Sequence, residues 1–239
     1  MLDILGRASY FGKMSQAQQN YDALKSFAKE QGADLFGVAN IASEYEKFSE
    51  EIRHQAAHLP FAIVVAVRLS KAVVETIEDR PTNIYKTHYR AANFLLDNIT
   101  FKLSGKINDM GNNSIPVAAS FIIDWEKQTA DVSHKDLAKL AGIGWRGRNN
   151  LIVNPDFGPA IRLASVLTDI PLRVDMPLDF GCGKCFICVE SCPAGAIKDD
   201  LADFDHHACF KKLTEFAHHK SFGQYICGIC IKNCPLTNG

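Results

Sequence analysis

Apolar and polar positions recur along this chain in two periods, one near 3.6 residues and one close to continuous burial. From Ser15 onward, Tyr21, Leu24, Phe27 and Ala28 fall on one helix face, Ser15 and Gln18 form a capping-box pattern, and Gly32 stops the segment. A strand through Leu35 to Ala39 follows, and residues 44–57 read as a polar-faced helix. Pro60 then opens FAIVVAV, residues 61–67, an unbroken apolar run of the kind a central strand shows when both its faces are buried. Such a strand requires helices on both sides of its sheet.

Residues 83–109 give the longest helical period, with Tyr85, His88, Ala92, Leu95, Ile99, Leu103 and Ile107 on one stripe and Gly111, Asn112 and Asn113 at its end. Residues 116–123 (PVAASFII) read as a further buried strand. Ser133 and Asp136 cap a short helix that stops at Gly142, and Leu151–Val153 and Ile161–Leu167 are strands. The pattern predicts a mixed α/β layered domain to about residue 178, with Pro171 and Pro177 punctuating its end.

The last quarter changes character, because all eight cysteines lie there. Cys182, Cys185, Cys188 and Cys192 read C-x₂-C-x₂-C-x₃-C-P, and Cys227, Cys230 and Cys234 repeat the pattern, with Cys209 between the two motifs. A disulfide framework needs an oxidising compartment, and the opening MLDILGRASYFGK has no signal-peptide pattern. Paired zinc sites usually come as separated C-x₂-C pairs. Strict x₂ steps closed by Cys-Pro fit two 4Fe–4S clusters, in which the cysteine before proline crosses to the other cluster. Crossing assigns Cys182, Cys185, Cys188 and Cys234 to the first cluster, and Cys192, Cys209, Cys227 and Cys230 to the second.

Composition adds exclusions. At 239 residues and 47% hydrophobic the chain can bury a large core, while a net charge of −1 gives no electrostatic footprint for nucleic acid. No apolar run approaches a membrane span. The expectation is a soluble, cytoplasmic protein with no membrane partner.

Residues 141–150 (AGIGWRGRNN) contain G-x-G-x-x-G at Gly142, Gly144 and Gly147. A dinucleotide site needs a strand before these glycines and a helix after them; here they follow a helix and enter a strand. Glycine backbone can instead lie against a planar or anionic ligand, with Trp145 stacking on it and Arg146 and Arg148 gripping phosphate. The alternative is a tight packed corner.

SHKDLAKLAGIGWRGRNNLIVNPDFGPAIRLASVLTDIPL followed by GCGKCFICVESCPAGAI resembles the epoxyqueuosine reductase-like proteins, relatives of the corrinoid-containing reductive dehalogenases. The resemblance implies a nitroreductase-like α/β domain over residues 1–178 and a ferredoxin-like double-cluster domain over 179–239. It further implies a base-off cobalamin near the first cluster, with electrons entering at the second cluster and producing Co(I); a flavin, or no such cofactor, is the alternative. Gly142, Gly144, Trp145, Gly147 and Asn149 match the corrin-side corner, Arg148 stands where lysine is usual, and Tyr89 matches a substrate-pocket tyrosine. The family's acidic proton donor falls near Gln128, with Asp124 and Asp131 off register. The family's tRNA-binding helical repeats are missing, so tRNA is not an expected partner.

Beside Ser133, His134 is the candidate proton donor with a pKa near neutrality, and Lys135 the candidate anchor for phosphate or carboxylate. The plainer reading makes both a solvated first turn. His206, His207, His218 and His219 flank Cys209, as solvent-facing groups or as tuners of the second cluster. The expected function is an iron–sulfur oxidoreductase that takes electrons from a ferredoxin or flavodoxin and reduces a small molecule. The alternatives are a non-catalytic electron carrier that reduces a corrinoid or flavin partner, or a corrinoid-trafficking module.

Overall fold

The computed structural model describes residues 14–237. In chain order the elements are α1 (Gln16–Glu30), β1 (Leu35–Asn40), α2 (Glu50–Ala56), β2 (Phe61–Arg68), α3 (Lys71–Glu75), α4 (Asn83–Asp109) and β3 (Ser114–Val117). They continue with α5 (His134–Leu140), β4 (Trp145–Arg146), β5 (Ile152–Val153), β6 (Ile161–Thr168), α6 (Ile187–Glu190), α7 (His206–His218) and α8 (Ile229–Lys232).

Four strands form one sheet in the order β1-β2-β6-β3, every pair antiparallel, and β4 and β5 form a separate two-stranded ribbon. The unbroken apolar run of β2 is explained by cover on both faces. Ile63, Val65 and Val67 pack with Leu24 of α1 and Leu96, Ile99 and Leu103 of α4. Ala62, Val64 and Ala66 pack with Ile52 of α2 and with Leu137 and Ala138 of α5. Each fully buried leucine or isoleucine of these layers is worth roughly 1.5–3 kcal/mol of transfer free energy, which sets the sheet register firmly.

Four expectations are corrected. The helix over 44–57 is broken at Ser49, whose Oγ accepts the Ile52 N–H at 3.4 Å and so starts α2 there; Tyr45–Lys47 is a separate 3₁₀ turn. The strand over 116–123 ends at Val117, and Phe121 and Ile123 are exposed. On α4, Leu96 is buried and Leu95 exposed, so the stripe turns by one position. The capping box of α1 is half made: Ser15 Oγ accepts the Gln18 N–H at 3.2 Å, but the Gln18 side chain donates to Asp22.

Beyond β6 the chain runs without regular structure past β1, where Asp175 N–H donates to the Val38 carbonyl at 2.8 Å and the Asp175 carboxylate accepts the Val38 N–H at 2.9 Å. The described elements of residues 179–237 are helices and 3₁₀ turns. Ile226, Ile229 and Ile231 enter the same core as Tyr85 and Ile77, which fixes α8 against the sheet layer. No helix among the described residues is long and apolar enough to cross a membrane.

Candidate functional site

The eight cysteines are free thiols, placed on loops and short helices that hold them apart in sequence and together in space. Cys188 lies on α6 and Cys230 on α8, two helices that pack on each other. Cys209 lies in the first turns of α7, whose N-terminus is capped by Asp205 through the Ala208 N–H at 2.8 Å.

Burial pushes the Cys188 thiol up to about 11, and the sulfurs of Cys182, Cys185 and Cys234 push it further. Burial likewise brings Cys227 to about 11, with Cys209 and Cys192 as its thiol neighbours. Cys230 is raised well above the usual range by burial and then by Cys227, Cys209, Cys192 and, last, Cys188. The thiols thus form an outer set of Cys182, Cys185, Cys188 and Cys234 and an inner set of Cys192, Cys209, Cys227 and Cys230. Cys227 and Cys230 pack against the core of the sheet layer. The outer set borders exposed Gly181, Gly183 and Lys184 and an open cleft of about 510 Å³.

Four soft thiols per set suit a cubane, in which each thiolate takes a different iron and need not converge with the others on one point. Among the described residues no three His, Cys, Asp or Glu side chains converge as ligands for a single ion. Ser191 Oγ, next to Cys192, is a buried hydroxyl without a partner, the kind of donor that a cluster sulfur would satisfy.

A cavity of about 910 Å³ opens between β3, the segment 118–135 and the start of α7; the cations Lys47, Lys135, Arg146 and Arg162, the carboxylates Glu51 and Asp131 and the imidazole of His206 all stand on its wall. Arg146 donates to Asn150 Oδ1 at 2.8 Å and to Asp136 at 3.1 Å. Arg162 donates to Asn93 Oδ1 at 3.0 Å and lies 4.3 Å over the Tyr89 ring. Lys135 makes no hydrogen bond or ion pair with any described residue. Burial, then the charge of Arg146, lowers its pKa to about 8, and Cys209 is among the groups that act on it. The cavity reaches His206 in the first turn of α7, the helix that carries Cys209. Two guanidiniums and two ammoniums thus outnumber the two carboxylates on the cavity wall, an excess of positive charge that favours a carboxylate or phosphate.

His134 overturns the expectation of a near-neutral proton donor. Its Nε2–H donates to the Ala118 carbonyl at 2.8 Å, which fixes the tautomer and leaves Nδ1 to accept from Ser165 Oγ at 2.9 Å. Burial lowers its pKa to about 4, so the ring is neutral and fully engaged at pH 7. Neither it nor Lys135 is a solvated first turn.

The glycine corner is packed from within. A Cβ on Gly142 would meet the Met176 carbonyl oxygen at 2.6 Å, one on Gly144 the Val153 oxygen at 2.3 Å, and one on Gly147 a Val153 methyl at 2.6 Å. Trp145 is 7% exposed, with its ring 5.9 Å from Phe180 and its indole N–H unpartnered. Asn149 is buried and its Oδ1 accepts the Leu151 N–H at 3.2 Å. Arg148 faces the cysteine loop, donating to the carbonyls of Gly183, Cys185 and Asp199. From this corner it is Arg146 and Asn150 that reach the cavity.

Tyr89 is not in the cavity wall but supports Arg162. Gln128 and Asp131 line the cavity; Gln128 has φ +54° and its amide donates to the Trp125 carbonyl, while Asp131 accepts from Ser49 Oγ at 2.6 Å. His207 and His218 are exposed, and His219 Nε2 accepts from Arg80 at 2.9 Å. Arg162 was not singled out in the sequence; the signal for it is a lone charge inside the apolar run of β6.

No protein-family model matches the chain. Over 86 residues it is 42% identical to the epoxyqueuosine reductase of Escherichia coli (strain K12), covering 36% of this chain and 22% of that protein. Over 143 residues it is 33% identical to the epoxyqueuosine reductase of Shewanella oneidensis, covering 55% of this chain and 36% of that protein. The matches thus span about a fifth to a third of these relatives' length. The catabolic reductive dehalogenase NpRdhA in complex with 3-bromo-4-hydroxybenzoic acid superposes with a TM-score of 0.76 at 22% identity, over 96% of this chain and 33% of that one. An epoxyqueuosine reductase bound to an epoxyqueuosine-modified tRNA stem loop superposes with a TM-score of 0.64 at 19% identity, over 91% and 65%. The chain is therefore similar to epoxyqueuosine reductases in sequence, and it shares its fold with them and with a reductive dehalogenase.

Proposed function

We propose that the chain is an oxidoreductase whose eight thiols hold two 4Fe–4S clusters in a ferredoxin-like segment, and that these serve a cobalamin seated in the adjoining cavity for the reduction of a small anionic substrate. The observation that carries this reading is the placement of the first turn of α7: it brings His206 to the cavity wall and carries Cys209 of the inner set one turn further on. Bound groups of these kinds supply one-electron relay and a strongly reducing metal.

The chain's own residues do the rest. The outer set, beside solvent-exposed loops, is the entry for electrons from a ferredoxin- or flavodoxin-type donor, and the inner set is the exit toward the cavity. This order reverses the one implied by the family resemblance. Lys135 holds the substrate's or cofactor's anionic group, while Arg146 and Arg162, each fixed by neutral or acidic partners, add preorganised positive charge that costs no reordering. His134 keeps the floor of the cavity rigid rather than moving a proton, because both its nitrogens are occupied.

Anaerobic reconstitution with iron and sulfide tests the reading. The expected product carries about eight irons per chain and shifts added cobalamin to its base-off spectrum. Iron uptake without that shift, and without flavin binding, favours the electron carrier. Zinc in place of iron ends the proposal. The complex of a structural neighbour with a tRNA stem loop runs against the expectation of no tRNA, so the binding assay includes a stem loop as competitor.

A further inference from the structure

The roof of the cavity ends in a small hairpin that one side chain fastens to the cysteine-bearing segment. Ile123 N–H donates to the Thr129 carbonyl at 3.0 Å, Thr129 N–H returns to Asp124 at 3.1 Å, and Asp124 Oδ1 accepts the Glu126 and Lys127 N–H groups at 3.0 and 2.9 Å. The inner side of this roof presents Phe121, Gln128 and Asp131 to the cavity. Its two ends are tied to the sheet layer, by Ala119 N–H to Asp97 at 2.8 Å and by Ser49 Oγ to Asp131 at 2.6 Å.

The tip is held differently. Trp125 is 51% exposed, and its ring lies 5.3 Å from Tyr225 and 6.2 Å from Phe210, which stack on each other at 5.8 Å. Among the described residues no hydrogen bond or ion pair joins residues 120–129 to residues 179–237, so the aromatic contact is the tie. Phe210 directly follows Cys209, and Tyr225 stands two residues before Cys227. Both halves of the platform on which Trp125 rests therefore adjoin cysteines of the inner set along the chain.

We propose that Trp125 is a positioning residue that couples closure of the cavity roof to occupation of the inner cysteine set. Thiolate bonds from Cys209 and Cys227 to a common centre would fix α7 and the segment before α8 relative to each other, and with them the Phe210–Tyr225 platform. A fixed platform holds the roof down over the cavity; a loose one releases it. The coupling rests on the cluster reading above, whereas the latch itself does not.

Hydrogen–deuterium exchange on the full chain, before and after anaerobic iron loading, tests this with Trp125→Ala, Trp125→Phe and Tyr225→Ala. Loading is expected to slow exchange across residues 121–130 about tenfold in the unaltered chain, by less than about twofold in Trp125→Ala and Tyr225→Ala, and again strongly in Trp125→Phe, which keeps a stacking ring. Exchange in α4 and β6 is expected to stay constant and so reports an intact fold. Equal slowing in Trp125→Ala overturns the coupling. Equal rates in the unaltered chain and Trp125→Ala before loading overturn the latch. A chain that takes up no iron fails on the cluster reading, and the coupling fails with it, while the comparison before loading still decides the latch.

Discussion

Arg148 Nη2 donates to the Gly183 carbonyl at 2.9 Å, which joins the glycine corner to the loop between the first two cysteines. The same guanidinium donates to the carbonyls of Cys185 at 3.2 Å and Asp199 at 2.9 Å, and lies 4.3 Å from the Phe186 ring. Three acceptors arranged around one planar fork suit arginine and not lysine, whose single ammonium cannot reach all three. Arg148→Ala should cost about 1–3 kcal/mol in a urea unfolding experiment, and Arg148→Lys should restore less than half of it. In the reconstituted protein the outer set should lose iron first. Full recovery by lysine would show that charge alone matters at this position.

His134 predicts the acid sensitivity of the fold. Its folded pKa, about 4, lies below the ordinary value of 6.5, because burial disfavours the imidazolium. The unfolded chain therefore takes up a proton that the folded chain refuses. Stability from this group is complete above about pH 6.5 and falls as pH drops toward 4, by up to about 3 kcal/mol. Urea midpoints measured across pH 7.5 to 4.5 should fall less steeply in His134→Gln than in the unaltered chain. Parallel curves would place the ring in a more polar environment than its two hydrogen bonds indicate.

Much of the sheet layer was legible because its constraints are two-sided. The run through β2 has no polar residue because both faces are covered, and α4 shows a helical stripe because one face meets the sheet. Legibility failed where apolar residues serve something other than the core. Phe121 and Ile123 look like strand residues, yet they belong to the cavity roof and are exposed. The roles of His134 and Lys135 were hard to separate because they are adjacent. Periodicity does carry a signal: positions 134, 137, 138 and 141 share the helix face whose last three members are buried, so His134 belongs on that face and Lys135 beside it. At the glycine corner the sequence left two readings open, a ligand-facing bend and a tight packed corner, and the packing seen there fits the second. The glycines answer to Val153 on the facing strand of the β4–β5 ribbon and to the Met176 carbonyl of the segment after β6, neither of which the G-x-G-x-x-G spacing itself encodes.

Lys135 should separate stability from binding. An ammonium with no partner among the described residues, its pKa lowered to about 8, is held charged at pH 7 at a cost to the fold. Lys135→Met should leave the urea midpoint unchanged or raise it, by an amount of order 1–3 kcal/mol at most. The same change should weaken binding of inorganic phosphate or of a cobalamin at least fivefold, since one charge-assisted contact is worth about 1.5–3 kcal/mol. A destabilised variant with unchanged affinity would mean that the lysine stem is packing and the ammonium binds nothing.

Cys192 tests the grouping of the thiols. It lies in the first sequence motif, but it acts on Cys209, Cys227 and Cys230. In the reconstituted protein Cys192→Ala should therefore damage the inner cluster and spare the outer one, read as loss of one of two magnetic signals on stepwise reduction. Loss confined to the outer cluster would assign the four cysteines of the first motif to a single centre.

Ser191 extends this to redox tuning. Its Oγ is buried without a partner between Cys188 of the outer set and Cys192 of the inner set, and an unpaired buried hydroxyl ordinarily costs about 1–3 kcal/mol. A bound cluster offers sulfur acceptors, and a hydrogen bond to sulfur favours the reduced, more negative state. Ser191→Ala should leave the iron content intact and move one cluster potential by ~30–60 mV to more negative values, where 59 mV is a tenfold change in a one-electron equilibrium. Ser191→Thr, which keeps the hydroxyl, should return the potential toward its original value. A potential that stays put in both variants, with iron retained, would mean that the hydroxyl faces no cluster and is satisfied by water.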